Sequence, residues 1–172
     1  SKPSYSNQSI EDQIKEIDAN VIFMRHALAP GYGDPESFNL ENCNSQRNLN
    51  GEGKKQAQQI GRYFTKNEIF FLEILTSEWC RCIDTAKEMN IGTSKTFDGL
   101  NSFFQNYSNK PDVMKKLNLK LSQLDKEKLT LMITHQVVIS EVTNISTQSG
   151  GIILYNSQNK NAKEFNIIDL QE

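Results

Sequence analysis

The 172-residue sequence is poor in the side chains that build metal centres and disulfide frameworks, with only two histidines and three cysteines. Because His26 and His135 are the whole histidine supply, we expect no zinc centre. The odd cysteine count argues against a full disulfide framework. The single residue between Cys80 and Cys82 suits neither a common zinc pair nor a CxxC redox site. We therefore expect Cys43, Cys80 and Cys82 to be packing or surface thiols.

Long apolar runs and an excess of one sign of charge are also missing. No run approaches the ~20 apolar residues that a membrane-spanning helix needs, so we expect no membrane span. The net charge of -2 and the isoelectric point near 5.8 indicate no polyanion-binding surface, and nucleic acid is not an expected partner. No signal peptide is visible, although processing could have removed one before Ser1. The location stays open between cytoplasmic and periplasmic or otherwise exported, and we favour export.

Apolar segments of strand length alternate with segments of helical periodicity along the chain. Strands are predicted near 21–24, 72–76, 129–134, 152–155 and 164–168, and helices near 10–17, 51–66, 79–89, 111–124 and 137–144. Residues 27–49 and 93–109 are predicted to be irregular, and residues 1–8 to be flexible. The alternation predicts one α/β domain over residues 1–172, a three-layer α/β/α sandwich with a mostly parallel sheet.

Polar side chains suited to phosphate chemistry follow three of the predicted strands. Arg25 and His26 end the first strand, Arg81 lies shortly after the second, and His135 ends the third. Ligands of open α/β sheets bind outside the carboxyl ends of the strands. A guanidinium offers a fixed fork of donors that suits phosphate, and a neutral imidazole can attack phosphorus. The sequence therefore predicts that two histidines and two arginines converge at this edge of the sheet.

Four segments together resemble the signature blocks of the histidine phosphatase superfamily, which includes the phosphoglycerate mutases. They are, in chain order, MRHA at 24–27, LNGEGKKQAQQIG at 49–61, TSEWCRCIDTA at 76–86 and LMITH at 131–135. The first block departs from the usual pattern, since Ala27 stands where the family has glycine. The resemblance spans about residues 21–140 and points to the short phosphatase branch with a phosphoglycerate mutase-like fold.

The resemblance also implies a role for each matched residue. His26 would be the nucleophile that becomes phosphorylated, Arg25 and Arg81 would bind the phosphoryl oxygens, and His135 would donate a further hydrogen bond. Arg47, just before the second block, is an additional candidate ligand for the phosphate. Two arginines and a second histidine can neutralise a phosphoryl group without a metal, so we expect neither metal nor cofactor.

The proton donor that a phosphate monoester with a poor leaving group requires is missing from its expected places. Many members of the superfamily carry a glutamate where this chain has Ser102, and the acid phosphatases carry an aspartate where it has Gln136. Asp98 is the nearest substitute and is our candidate general acid. Asp34 and Glu36, in the loop after His26, are further candidates.

These residues favour a metal-independent phosphatase that hydrolyses a phosphoester or a phosphoramidate through a phosphohistidine intermediate. Its partner would be a small phosphorylated substrate or a phosphoprotein. Mutase activity is not expected, because the segment 93–109 is short and water would reach a phosphorylated His26. Two alternatives remain: a non-catalytic phosphate-ligand binder that has lost its acid, and a protein phosphohistidine phosphatase in signalling, whose leaving group is easier to expel.

Overall fold

A computed structural model describes residues 8–167, which form five α-helices and a six-stranded sheet. The helices are α1 (Ile10–Ile17), α2 (Gly51–Lys66), α3 (Cys80–Met89), α4 (Lys110–Gln123) and α5 (Gln136–Thr143). The strands are β1 (Val21–Arg25), β2 (Glu73–Thr76), β3 (Lys95–Thr96), β4 (Thr130–Thr134), β5 (Ile152–Tyr155) and β6 (Ala162–Phe165).

The sheet has the strand order β3-β2-β4-β1-β5-β6. The pairs β2–β3, β2–β4 and β1–β4 are parallel, whereas β5 runs antiparallel to both β1 and β6. The prediction of a mostly parallel sheet is therefore confirmed. Crossover helices make each parallel connection, as parallel strands require.

Side chains of the central strands alternate between two apolar layers, one on each face of the sheet. Ile22 and Met24 pack with helices α1, α2 and α3, through residues such as Phe64. Val21 and Phe23 pack on the other face with helices α4 and α5. This two-sided burial explains why the strands are continuously apolar rather than alternating, and it makes the three layers predicted from the sequence.

Local capping explains where the helices begin. The side chain of Asn50 accepts a hydrogen bond from the backbone N–H of Gly53 at 2.8 Å, and α2 starts at the predicted position. Ser9 and Asn109 cap α1 and α4 in the same way. Gly61 of α2 faces the carbonyl of Met89, with which any added Cβ would clash, so this glycine allows α2 and α3 to pack closely.

Two predicted segments differ from the structure. The segment 93–109 is not wholly irregular, because it contains β3 and short 3-10 turns at Asp98–Leu100 and Phe104–Asn106. The last strand spans Ala162–Phe165 rather than 164–168, and residue 168 lies outside the described residues. The predicted flexibility of residues 1–8 falls almost wholly outside them as well. No helix within residues 8–167 is long and apolar enough to cross a bilayer.

The cysteine prediction was wrong for two of the three residues. Cys43, in the 3-10 turn Cys43–Ser45, forms a disulfide with Cys80, the first residue of α3, with their Cα atoms 5.7 Å apart. Cys82 remains a buried thiol, as expected. The pairing depends on the loop 27–49 folding back onto α3, which the spacing of cysteines along the chain does not reveal. The disulfide fixes this loop beside the first turn of α3.

Reduction of the disulfide should destabilise the fold. Opening a covalent loop across a sequence separation of 37 raises the entropy of the unfolded chain, and we expect a loss of roughly 2 to 4 kcal/mol in the free energy of unfolding. Urea titrations with and without dithiothreitol measure this loss. The Cys43→Ser variant should have the lowered free energy of unfolding even without reductant, and dithiothreitol should not lower it further. An unchanged midpoint in fully reduced wild-type protein would contradict the expectation.

Candidate active site

Three strand ends meet at one edge of the sheet and bring the predicted residues together. Arg25 is the last residue of β1, and His135 directly follows β4. The backbone N–H of His26 donates to the carbonyl of Thr134 at 3.0 Å, and that of Ser77 donates to Ile133 at 3.0 Å. These bonds extend the parallel ladder past the ends of the strands and set the first site residues side by side.

A pocket of about 550 Å³ opens at this edge. All five of the sequence-predicted residues with a phosphate-related role line it: Arg25, His26, Arg47, Arg81 and His135. The remaining wall comes from two loop segments, around Gly31–Gly33 and Ser102–Phe104, and from the beginning of α5. The volume suits a small ligand.

The imidazole of His26 is held in one orientation, buried at 2% exposure. Its Nδ1 lies 2.8 Å from the carbonyl oxygen of Ala27, which can only accept, so Nδ1 carries the proton. The lone pair therefore lies on Nε2, which accepts a hydrogen bond from Nε of Arg81 at 3.2 Å. The nitrogen available for attack is thus Nε2, and it lies against a guanidinium.

Arg81 is itself held by a buried ion pair. Its Nη1 and Nη2 donate to Oδ1 and Oδ2 of Asp34 at 2.9 and 3.2 Å. The carboxylate also accepts from the indole of Trp79 and from the backbone N–H of Arg47, both at 3.1 Å. Asp34, one of the acid candidates, is therefore engaged in orienting Arg81, and its side chain is only 4% exposed. Sequence reasoning missed this role because the partners lie far apart in the chain.

The two other arginines bring further positive charge to the pocket. Nη1 of Arg25 donates to the carbonyl of Thr147 at 2.9 Å, and its buried Nε has no partner within residues 8–167. Arg47 donates from Nε to the carbonyl of Gly33 at 2.7 Å and from Nη1 to that of Ala29. Burial and the neighbouring Arg81 lower the pKa of Arg25, and they lower the pKa of Arg47 to about 10. Both remain cationic at neutral pH.

His135 supplies a buried nitrogen with free hydrogen-bonding capacity. Its Nε2 lies 2.8 Å from Oγ of Ser77 and 3.6 Å from Sγ of Cys82. Its Nδ1 is buried without a partner among the described residues. Burial raises the pKa of the Cys82 thiol to about 12, so this sulfur stays protonated and is a poor nucleophile.

Both histidines are neutral at neutral pH. Burial first, and then the charge of Arg81, lower the pKa of His26 and of His135 well below the ordinary value of 6.5. The pocket thus combines three guanidinium groups and two neutral imidazoles, and the carboxylate of Asp34 lies behind Arg81. The excess of positive charge favours an anionic ligand.

The two other acid candidates, Asp98 and Glu36, do not join the site. Asp98 pairs with Lys116 at 2.5 Å on the surface and does not line the pocket. Glu36 is exposed and also lies outside it. Ser102 and Gln136 do line the pocket, so neutral side chains occupy the two positions where the resemblance expects an acid. Glu141, which pairs with Lys110 at 3.1 Å, is the only carboxylate among the described lining residues.

No group of three or more His, Cys, Asp or Glu side chains within residues 8–167 is arranged to hold a metal ion. The buried donors of the pocket are instead nitrogen atoms on arginine and histidine. Guanidinium groups do not ligate cations, because every nitrogen is a donor.

Comparison with known proteins gives the fold a name. No protein-family model matches the chain, and no curated protein matches its sequence. The solved structure of the protein histidine phosphatase SixA with tungstate matches with a TM-score of 0.58 and 16% identity, covering 84% of this chain and 93% of that one. This chain has the histidine phosphatase fold.

Two further solved structures match the fold of this chain. The mycobacterial glucosyl-3-phosphoglycerate phosphatase in complex with VO3 has a TM-score of 0.59 and 11% identity, covering 86% of this chain and 97% of its own. A protein from an open reading frame of Mycobacterium tuberculosis has a TM-score of 0.61 and 13% identity, and the match covers 83% of this chain and 94% of that protein. Such identities show a shared fold, which confirms the fold predicted from the four sequence blocks.

The lowered pKa values make stability depend on pH. Because folding lowers both histidine pKa values, the unfolded chain binds more protons below about pH 6.5. Stability is complete above that pH and falls as the pH drops, by up to about 1.4 kcal/mol per pH unit for each histidine. Urea titrations between pH 7.5 and 5.5 measure the slope. His26→Asn should reduce the slope of the unfolding free energy against pH by about half, since the chain has only two histidines. A wild-type unfolding free energy that does not change with pH would contradict the lowered pKa values of His26 and His135.

Proposed function

We propose that this chain is a metal-independent phosphatase in which His26 accepts the phosphoryl group and water then removes it. One observation carries the proposal. A neutral His26 has its proton fixed on Nδ1 by Ala27 and its Nε2 lone pair against Arg81, inside a pocket that also holds Arg25 and His135. A nucleophilic nitrogen beside anion-binding donors is the arrangement that phosphoryl transfer to histidine needs.

The first step forms a bond between Nε2 of His26 and phosphorus while the bond from phosphorus to the leaving oxygen or nitrogen breaks. The proton on Nδ1 stays bonded to the carbonyl of Ala27, which stabilises the positive charge that develops on the imidazole. Arg25 and Arg81 bind the equatorial phosphoryl oxygens. Nε2 of His135 lies 2.8 Å from the hydroxyl of Ser77, whereas its Nδ1 has no partner among the described residues and is available to the ligand.

The second step is attack of water on phosphorus, which breaks the bond to His26 and releases inorganic phosphate. The pocket is open to solvent on the side of its loop segments, where Tyr32 is 86% exposed. We expect water to reach a phosphorylated His26 from this side, which would favour hydrolysis over transfer to a second substrate.

Turnover of p-nitrophenyl phosphate in the presence of a chelator tests the proposal. His26→Asn should lower kcat to background, because the nucleophile is lost while the size of the side chain is nearly kept. Acid-quenched wild-type enzyme should carry a phosphate on His26, and the variant should carry none. Arg81→Lys should lower kcat at least about 100-fold, since a lysine cannot reproduce the bidentate geometry. Vanadate binding without turnover on any phosphoester would support the non-catalytic binder instead.

The missing acid indicates which leaving groups the pocket can expel. Because Asp98 lies outside the pocket and Asp34 is bound to Arg81, we infer that the substrate departs without strong help from a proton donor. Phosphoramidates and activated esters meet this condition, so a phosphohistidine substrate remains part of the proposal. Asp98→Asn should leave kcat unchanged for the same reason.

Installing an acid should broaden the substrate range. Gln136 lines the pocket directly after His135, so Gln136→Asp places a carboxyl group where the acid phosphatases of the superfamily carry one. We expect kcat for benzyl phosphate to rise at least about tenfold, because general acid catalysis assists a poor leaving group. The rate for p-nitrophenyl phosphate should change little. Gln136→Asn is the matched control, and an equal gain in that variant would exclude an acid effect.

The Cys43–Cys80 disulfide supports an exported location. Disulfides persist in oxidising compartments such as the periplasm and are rare in the reducing cytosol. We therefore propose that this phosphatase works outside the cytoplasm. The disulfide also fixes the loop that carries Asp34 and Arg47, so oxidation would help to maintain the phosphate site.

A further inference from the structure

The mouth of the pocket is lined by three aromatic side chains that the phosphoryl-transfer steps do not use. Tyr32, Phe103 and Phe104, which we call the aromatic wall, all line the pocket. The rings of Tyr32 and Phe104 meet edge to face with their centroids 5.2 Å apart. Tyr32 is 86% exposed, more than any other large apolar side chain of the described residues. A large exposed ring at the mouth of a polar pocket is a ligand-binding feature rather than part of the core.

The backbone of both loops holds the aromatic wall in place. Tyr32 lies between Gly31 and Gly33, which have φ values of +104° and +66°. At these positive φ values a residue with a side chain would be strained, so the two glycines favour this path of the chain. On the other loop Gln105 has φ +61°, a conformation that costs energy for a residue with a side chain.

Hydrogen bonds join the two loops directly. The side chain of Gln105 accepts from the backbone N–H of Asp34 at 2.8 Å, and the hydroxyl of Tyr107 donates to the carbonyl of Pro35 at 2.8 Å. Arg47, which lines the phosphate side of the pocket, donates to the carbonyl of Gly33. The aromatic wall is therefore preorganised, and it is connected to the phosphate-binding residues through one short loop.

Another part of the pocket lining is polar. Ser140 and Glu141 of α5 line it, and Glu141 pairs with Lys110 at 3.1 Å. Nζ of Lys110 in turn lies 5.6 Å from the ring centre of Phe103, so this ion pair bridges α5 to the aromatic wall. The pocket lining therefore combines aromatic rings with hydrogen-bonding groups of α5.

We propose that the aromatic wall binds the leaving group of the substrate, and that this group is a small ring compound with polar substituents. This inference rests on the proposed phosphatase function and adds a substrate class to it. The ring would pack on Tyr32 and Phe104 while the phosphoryl group lies against Arg25, His26 and Arg81. Phosphates of short acyclic alcohols would occupy the phosphate site without contacting the wall.

Binding of two non-hydrolysable ligands, benzylphosphonate and ethylphosphonate, tests this by calorimetry without requiring turnover. The wild type should prefer benzylphosphonate. Tyr32→Ala should weaken benzylphosphonate binding by about two- to tenfold, the range of an aromatic contact, and leave ethylphosphonate binding unchanged. Phe70→Ala is the matched control, because Phe70 is 75% exposed but does not line the pocket. It should change neither affinity.

Three outcomes separate the possible failures. Equal affinities of the two phosphonates for the wild type, or an equal loss of both in Tyr32→Ala, would overturn the ring-binding inference while leaving the phosphatase proposal intact. Absence of binding for both phosphonates and for vanadate would overturn the phosphate site itself, and with it the inference. A peptide carrying phosphonomethylphenylalanine that binds more than tenfold tighter than benzylphosphonate would place the leaving group on a protein and overturn the small-molecule substrate class.

Discussion

The buried contact between Arg81 and Asp34 organises the whole site. Arg81 lies in the first turn of α3, Asp34 lies in the loop 27–49, and the Nε of Arg81 reaches His26 at the end of β1. One guanidinium thus joins three separate parts of the chain. Removal of one partner of such a pair leaves a buried charge uncompensated, which typically costs about 3–5 kcal/mol. The carboxylate of Asp34 also accepts hydrogen bonds from Trp79 and from the backbone of Arg47, and these bonds help to offset the cost of burying the ion pair.

The three guanidinium groups of the pocket, on Arg25, Arg47 and Arg81, affect both its charge and the protonation of its histidines. They attract an anionic ligand, and together with burial they keep His26 and His135 neutral by lowering the pKa of each. A neutral imidazole keeps one nitrogen lone pair, and the contact with Ala27 places that lone pair on Nε2 of His26. Cys82, only 3.6 Å from His135, does not compete because burial keeps its thiol protonated. The chemistry of the pocket therefore follows from burial beside positive charge.

In the proposed function, the loops that surround this charged centre select the group to which the phosphoryl group is attached. The disulfide and the hydrogen bonds of Gln105 and Tyr107 tie the loop 27–49 to α3 and to the segment around Phe104. These ties position Arg47 on the phosphate side and Tyr32 at the mouth. In the proposed function, phosphate binding and leaving-group binding thus share one loop.

Short-range signals in the sequence predicted most of the fold. Apolar runs identified the central strands, the side chain of Asn50 marked the start of α2, and the strand ends located Arg25, His26 and His135 at one edge of the sheet. The weakest predictions fell where local signals are faint. The two-residue strand β3 lacks a periodic pattern, and nearness to the third block in the chain did not bring Asp98 into the pocket.

By itself the sequence determined the layered architecture, the order of its elements and the arginine and histidine side chains that meet at the strand ends, because periodicity, capping and strand-end position depend on neighbouring residues. Only the tertiary structure decided that Asp34 holds Arg81 across a separation of 47 residues, that Cys43 pairs with Cys80 across 37, and that Tyr32 meets Phe104 at the pocket mouth. Those contacts depend on the path of irregular loops, which is set by packing and hydrogen bonds between distant segments rather than by any local pattern.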